Sequence, residues 1–191
     1  MTTIPPTFIV GIGGSAGGLS ACQAFMDAVS PQTGMAFVIV LHIIPDATSQ
    51  LAWILSRRTK MPVTVAETAM QIRANHVYVC PPNADLHAEK GDTLRIVSPR
   101  TKRNVQVDVL FTSLSLAMRQ RAIGVVFSGY DGDGAKGCRA IKATGGVNFA
   151  QDASAEVGHM PMSAQATGCV DFVLSPEKIA DRLLLMAKSS A

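Results

Sequence analysis

Cysteine is sparse in this chain and never paired. Cys22, Cys80, Cys138 and Cys169 stand far apart, with no C-x-x-C and no histidine cluster beside them. That spacing argues against a zinc site, and a disulfide framework belongs to much smaller secreted chains, so buried free thiols in a reducing compartment are expected. Charge is also scarce: 16% of residues are charged and the net charge is +3. Lys and Arg are scattered, which gives little support for nucleic-acid binding. The nearest thing to a basic patch, Arg95 to Arg103, has no interleaved aromatics and reads as a solvated loop or a contact for an acidic protein partner. Long apolar runs are missing too: none reaches the roughly 18–20 residues of a membrane span. The start, MTTIPPTF, lacks the basic residues and apolar core of a signal peptide. A soluble, cytoplasmic protein is expected, with no membrane insertion. What is plentiful is apolar matter, 48% of 191 residues, enough for one domain with a real core.

Residues 7–12, TFIVGI, form a short apolar run rich in β-branched residues, which suits a strand buried on both faces. Leu19, Cys22, Phe25, Met26 and Val29 then follow helical spacing, Pro31 and Gly34 break the chain, and 35–41, MAFVIVL, reads as a second buried strand. Strand, helix and strand in about 35 residues is a βαβ unit. A helix is expected over 49–58, with Ser49 or Thr48 as its cap, and a strand over 62–67. HVYVC, ADLHAE and TLRIVS alternate apolar and polar residues around Lys90-Gly91-Asp92, a hairpin signal, so an antiparallel hairpin is expected in or at the edge of the sheet. A helix over 107–120, a buried strand over 122–129, a helix stopped by Gly145 and Gly146, short strands in VNFA and VDFVL, and a capped helix from Ser175 complete the pattern. With no internal repeat and no linker, the predicted fold is a single α/β domain: a doubly wound, mostly parallel sheet with an antiparallel hairpin, in three layers.

The first loop, FIVGIGGSAGGLSA (Phe8 to Ala21), satisfies two motifs at once. Gly11 to Ala16 fits the dinucleotide fingerprint G-x-G-x-x-G/A, and Gly13 to Gly17 fits the nucleophile elbow G-x-S-x-G. In open parallel α/β sheets, sites form at the carboxyl ends of strands. Ser15 follows the first predicted strand, His42 the second, and Asp133 the strand at 122–129. A serine hydroxyl needs a base within reach, an imidazole can take its proton and return it, and a carboxylate fixes the imidazole tautomer. Backbone N–H groups after Ser15 could receive an oxyanion. Each residue also has a plainer reading: Ser15 as a turn former or phosphate contact, His42 as an ordinary strand-end histidine, and Asp133 as a helix cap. His76 and His87, flanking the expected hairpin, and His159, in an unassigned loop, are weaker candidates for the base. The phosphate reading is the weaker of the two. A dinucleotide site wants an acidic residue at the end of the second strand, where Leu41-His42 stands and Asp46 comes only after Pro45. The Walker lysine is absent.

Several segments, in order along nearly the whole chain, resemble the catalytic domain of the CheB-type protein-glutamate methylesterases of bacterial chemotaxis: VGIGGSAGGL, FVIVLHIIPD, VQVDVLFTSL, GVVFSGYDGDGAKG and AQDASAEVGHMPMSA. NHVYVCPPNADL and ATGCVDFVLSPEKIA look closest to members fused to a methyltransferase and sensor modules. The resemblance implies a triad of Ser15, His42 and Asp133, with Gly14, Ala16, Gly17, Tyr130 and Met160 near the oxyanion and substrate. It implies hydrolysis of γ-glutamyl methyl esters on the cytoplasmic helices of chemoreceptors, releasing methanol, and in some members deamidation of receptor glutamine. No metal or organic cofactor is implied. The whole of 1–191 is expected to be one catalytic domain without a receiver domain, regulated by fused or separate receiver, methyltransferase or kinase domains. The alternative is a catalytically weakened module of the same fold that binds a receptor or kinase. This chain departs from the family pattern in places. Leu41 stands where Gln is common, and Ser128 to Gly134 stand where T-G-M-G-x-D-G is common, with Tyr130 replacing a methionine and Asp131 adding a carboxylate. Gly158-His159-Met160-Pro161 stands for the usual G-M-P.

Overall fold

The computed structural model describes residues 4–42 and 50–189. The expected caps Thr48 and Ser49, and Asp46, lie outside the described residues. The elements in order are β1 (Ile9–Gly14), α1 (Gly18–Ala28), β2 (Ala36–Leu41), α2 (Leu51–Ser56), β3 (Val63–Val65), β4 (His76–Val79), β5 (Asp85–Glu89), β6 (Thr93–Val97), α3 (Gln106–Met118), β7 (Ala122–Val126), α4 (Ala135–Ala143), β8 (Val147–Gln151), α5 (His159–Gln165), β9 (Phe172–Leu174) and α6 (Pro176–Ser189), with a short 3-10 turn over Arg119–Arg121. Seven parallel strands form one sheet in the order β3-β4-β2-β1-β7-β8-β9. β5 and β6 form a separate antiparallel hairpin across Lys90 to Asp92. The expectation of a doubly wound parallel sheet with a hairpin holds. HVYVC differs from the hairpin reading: it supplies β4, an interior parallel strand between β3 and β2, because Val77 and Val79 are buried on one face and Tyr78 on the other. His87 lies within the hairpin, in β5, rather than flanking it.

The sheet is covered on both faces. One face packs under α1, α2 and α6 through Phe25, Met26, Leu55 and Leu183. The other packs under α3, α4, α5 and the hairpin through Leu86, Leu110, Phe111, Ile141 and Met160. Strands enclosed in this way carry apolar side chains on both sides, which is why Ile9 to Ile12 and Ala36 to Val40 read as continuous runs. Cys22, Cys80 and Cys138 are buried free thiols, each pushed up to about 12 first by burial; Cys169 is half-buried.

Two glycines of the first loop have a structural task in this packing. A methyl on Gly11 would lie 2.6 Å from Leu114 Cδ1, and one on Gly13 would collide with Val107. Gly11 and Gly13 therefore let α3 approach the centre of the sheet. The fingerprint spacing is a packing motif here. Gly13→Ala should cost about 1–3 kcal/mol through overpacking, read as a lower urea midpoint at unchanged m-value.

Asp85, at the start of the hairpin, is 1% exposed. It accepts from Thr101 N (2.9 Å), Thr101 Oγ1 (2.8 Å) and Gln106 Nε2 (2.9 Å), and so fastens the hairpin to the first residue of α3. Burial pushes the Asp85 carboxyl up, but the hydrogen bonds from Gln106 and Thr101 outweigh it and hold the group below its ordinary value. A carboxyl depressed in the folded state stabilises fully above its unfolded pKa, and that stability is lost as pH falls through the folded value. Asp85→Asn should therefore cost about 1–3 kcal/mol at pH 7. The gap to the native chain should close below about pH 4, which denaturant unfolding at pH 7 and pH 3 would measure.

Candidate active site

The strands β2, β1 and β7 are adjacent, and β1 is where the chain's progress across the sheet reverses: β2, β4 and β3 lie to one side of it, β7, β8 and β9 to the other. Ligand sites form outside the carboxyl ends of strands at such a point. Ser15 is one residue past β1, His42 one past β2, and Asp133 lies in the loop after β7. The backbone fixes these ends to one another. His42 N donates to Gly14 O at 3.0 Å, and Ser15 N donates to Ser128 O at 2.8 Å.

Asp133 is 3% exposed, and both of its carboxylate oxygens are occupied. Oδ2 accepts from Val107 N (2.9 Å) and lies 2.8 Å from His42 Nε2. Oδ1 accepts from Asp108 N (2.8 Å) and Gly134 N (2.9 Å). Asp133 therefore does bond the helix starts, as the plainer reading expected, and it meets the histidine as well. Two helix N-termini, α3 and α4, direct their unpaired N–H groups and positive ends at one carboxylate. Asp108 extends the junction by accepting from Gly134 N (3.0 Å) and Gly137 N (2.7 Å), so a residue of the first turn of α3 caps α4. Burial is the main cause that pushes the Asp108 carboxyl up, opposed by those N–H groups and joined by the neighbouring Asp133.

With Nε2 on Asp133, the ring nitrogen left for other work is Nδ1. It is buried and has no hydrogen-bond partner among the described residues. It sits 3.3 Å from Asp131 Oδ2, off the line a proper hydrogen bond needs. Ser15 is half-buried. Two residues on, Gly17 at φ 74° makes the left-handed turn that starts α1. Gly18 N closes that turn onto Ser15 O at 2.9 Å.

Gly129 lies against Ser15: a methyl there would be 2.9 Å from Ser15 Cβ and would collide with Met160 Sδ. Met160, expected near the substrate, is fully buried behind Gly129 as a support. Tyr130, by contrast, is 66% exposed, with its ring edge-on to His159. His159, read from sequence as a loop residue, opens the short helix α5, and its Nδ1 meets Tyr130 O at 3.1 Å. His76 instead bonds Thr64 and stacks on Tyr78. His87 lines a cavity of about 660 Å³ along α3, with Lys102, Val109, Leu116 and Lys136, which includes neither Ser15 nor His42.

Sequence reasoning missed Ser128. It is fully buried in the loop just past β7 and joins three segments. Its Oγ donates to Ala16 O (2.7 Å) and accepts from Val157 N (2.8 Å), its carbonyl accepts from Ser15 N, and its N–H donates to Gln151 Oε1 (3.0 Å). A buried serine after a strand gives no distinctive sequence signal, because its value lies in partners 29 and 112 residues away. Ser128→Ala leaves Val157 N and Ala16 O without that partner, and should lower the unfolding free energy by about 1–3 kcal/mol in urea denaturation.

Comparison with known proteins bears on the family and the fold. The family model described as CheB methylesterase matches residues 10–183. A Leptospira interrogans protein is 35% identical over 182 residues, covering 94% of each chain. The protein-glutamate methylesterase/protein-glutamine glutaminase of the group 3 operon of Rhizobium meliloti is 32% identical over 190 residues, which are 98% of this chain and 54% of that longer one. The crystal structure of the Thermotoga maritima CheB methylesterase catalytic domain superposes with a TM-score of 0.87 at 25% identity, covering 94% of this chain and 98% of that one. Fold and relatives together define a carboxylic ester hydrolase. The chain belongs to the CheB methylesterase family. Among the described residues, no helix is long and apolar enough to cross a membrane.

Proposed function

We propose that this chain hydrolyses γ-glutamyl methyl esters on the cytoplasmic helices of chemoreceptors to glutamate and methanol, with Ser15 as nucleophile, His42 as base and then acid, and Asp133 as the group that orients His42. The observation that carries the roles is the 2.8 Å contact of His42 Nε2 with an Asp133 carboxylate already fixed by three backbone N–H groups. A carboxylate so held accepts the Nε2 proton and leaves the Nδ1 lone pair for the serine proton.

Ser15 Oγ then bonds the ester carbonyl carbon as its proton passes to Nδ1. The carbonyl oxygen becomes an oxyanion. Ala16 N and Tyr130 N make no hydrogen bond among the described residues; one follows Ser15 in the chain, and the other follows Gly129, packed against it. These two N–H groups, at the positive end of α1 and beside the loop after β7, are the natural donors to that oxyanion. Nδ1–H next protonates the departing methoxide, and methanol leaves an acyl-Ser15. Water, deprotonated by Nδ1, attacks the acyl carbon and returns Ser15 and glutamate. The same sequence with an amide in place of the ester releases ammonia, which would give the glutaminase activity that the Rhizobium meliloti relative's name carries. Gly14 and Gly17 shape the turn under Ser15, and the exposed Tyr130 suits contact with a protein surface. Regulation by fused or separate receiver, methyltransferase or kinase domains is in keeping with the greater length of that relative.

The test is methanol release from a methylated chemoreceptor by the native chain and by Ser15→Ala. Activity should fall by about four to six orders of magnitude in the variant at unchanged fold. Comparable release from both would refute the assignment of the nucleophile.

A further inference from the structure

His42 lies between two carboxylates, and only one of them belongs to the triad. Asp133 holds Nε2 at 2.8 Å; Asp131 Oδ2 stands 3.3 Å from Nδ1. Asp131 is itself pinned, since its Oδ1 accepts from Asp133 N at 3.0 Å. The short stretch Asp131-Gly132-Asp133 therefore folds back on itself and presents one carboxylate oxygen to each ring nitrogen. Meanwhile Nδ1, the nitrogen that has to serve Ser15, makes no hydrogen bond to Ser15 or to any other described group.

Chemistry makes this arrangement consequential. A carboxylate oxygen is an acceptor only, so beside Nδ1 it is complementary to an N–H and unfavourable to a lone pair. With Nε2–H already given to Asp133, a second proton on Nδ1 beside Asp131 would make His42 an imidazolium, which cannot take a proton from Ser15. The side chain of Asp131 is 28% exposed, so its interaction with Nδ1 is screened in part by solvent.

We propose that Asp131 is a positioning residue whose carboxylate stands against Nδ1, the His42 nitrogen left for Ser15, in the resting protein, so that Ser15 becomes fully nucleophilic only when this contact is given up. The proposal rests on the triad reading above. Its location fits such a role: Asp131 lies next to Tyr130, whose exposed ring is placed to meet a docking substrate, and a shift of that loop would carry the carboxylate away from Nδ1.

The experiment compares the native chain with Asp131→Asn and Asp131→Gly, using Ser15→Ala as the unlabelled control. Asn keeps an oxygen for Asp133 N–H and so guards against a folding effect; thermal unfolding verifies this. Two rates are read: labelling of Ser15 by a fluorophosphonate, and methanol release with kcat and KM resolved. Both variants should label about two- to five-fold faster than the native chain, the range for a partly exposed charged contact, and kcat should rise with KM unchanged. Equal or slower labelling in folded variants would overturn the proposal and leave the triad standing. A change confined to KM would also overturn it, because Asp131 would then be a substrate contact. No labelling of any folded form, native included, would remove the triad reading and this proposal with it.

Discussion

The buried carboxylate of Asp133 is the interaction on which the site depends. A charge taken out of water must be met by donors. Here the donors are the first N–H groups of α3, the start of α4, and the His42 ring. The same bonds that satisfy Asp133 fix where two helices begin and which nitrogen of the histidine is engaged. Helix ends that would otherwise need solvent or capping side chains are satisfied by the site itself, so fold and site share one set of hydrogen bonds. Asp108, closing α4 from the first turn of α3, makes the junction reciprocal.

That junction is possible only because α3 lies close on the sheet. Val107 occupies the space a side chain at Gly13 would need, and Phe111 and Leu114 stand over Gly11. Behind Ser15, Gly129 and Met160 make a second tight contact, and Ser128 bonds the Ser15 loop to the segment around Val157. Ser15 is thus held from two sides by backbone that cannot shift without breaking buried bonds.

Most of the architecture was legible because its signals were local. β-branched runs between glycines gave β1, β2 and β7, helical spacing gave α1 and α3, and Lys90-Gly91-Asp92 gave the hairpin turn. HVYVC went to the wrong partner because four residues with buried faces read alike in a hairpin and in a parallel sheet; the neighbours that decide it, β2 and β3, lie far off in sequence. Helix α5 is hidden in the sequence because its seven residues, preceded by Gly158 as cap and containing Pro161, give too little periodicity. In the site, the placement of Ser15, His42 and Asp133 followed from the rule that sites gather at carboxyl ends of strands. The work of Gly11 and Gly13 did not, because the spacing of a glycine motif does not say what faces it. Ser128 and Asp108 were invisible for the same reason, as their roles are defined by partners from distant segments.

The strand order has a consequence in time. β1 needs β7 as its neighbour, and more than a hundred residues separate Val10 from Ile123, which pair in register. Contacts of such long range close slowly and late in folding. As the chain is synthesised, the serine loop and the histidine strand emerge well before the aspartate. For that interval Ser15 and His42 exist together without the carboxylate that meets the His42 ring in the folded chain. The contact between His42 and Asp133 therefore forms only once the centre of the sheet is complete, so the site is among the last parts of the chain to come together.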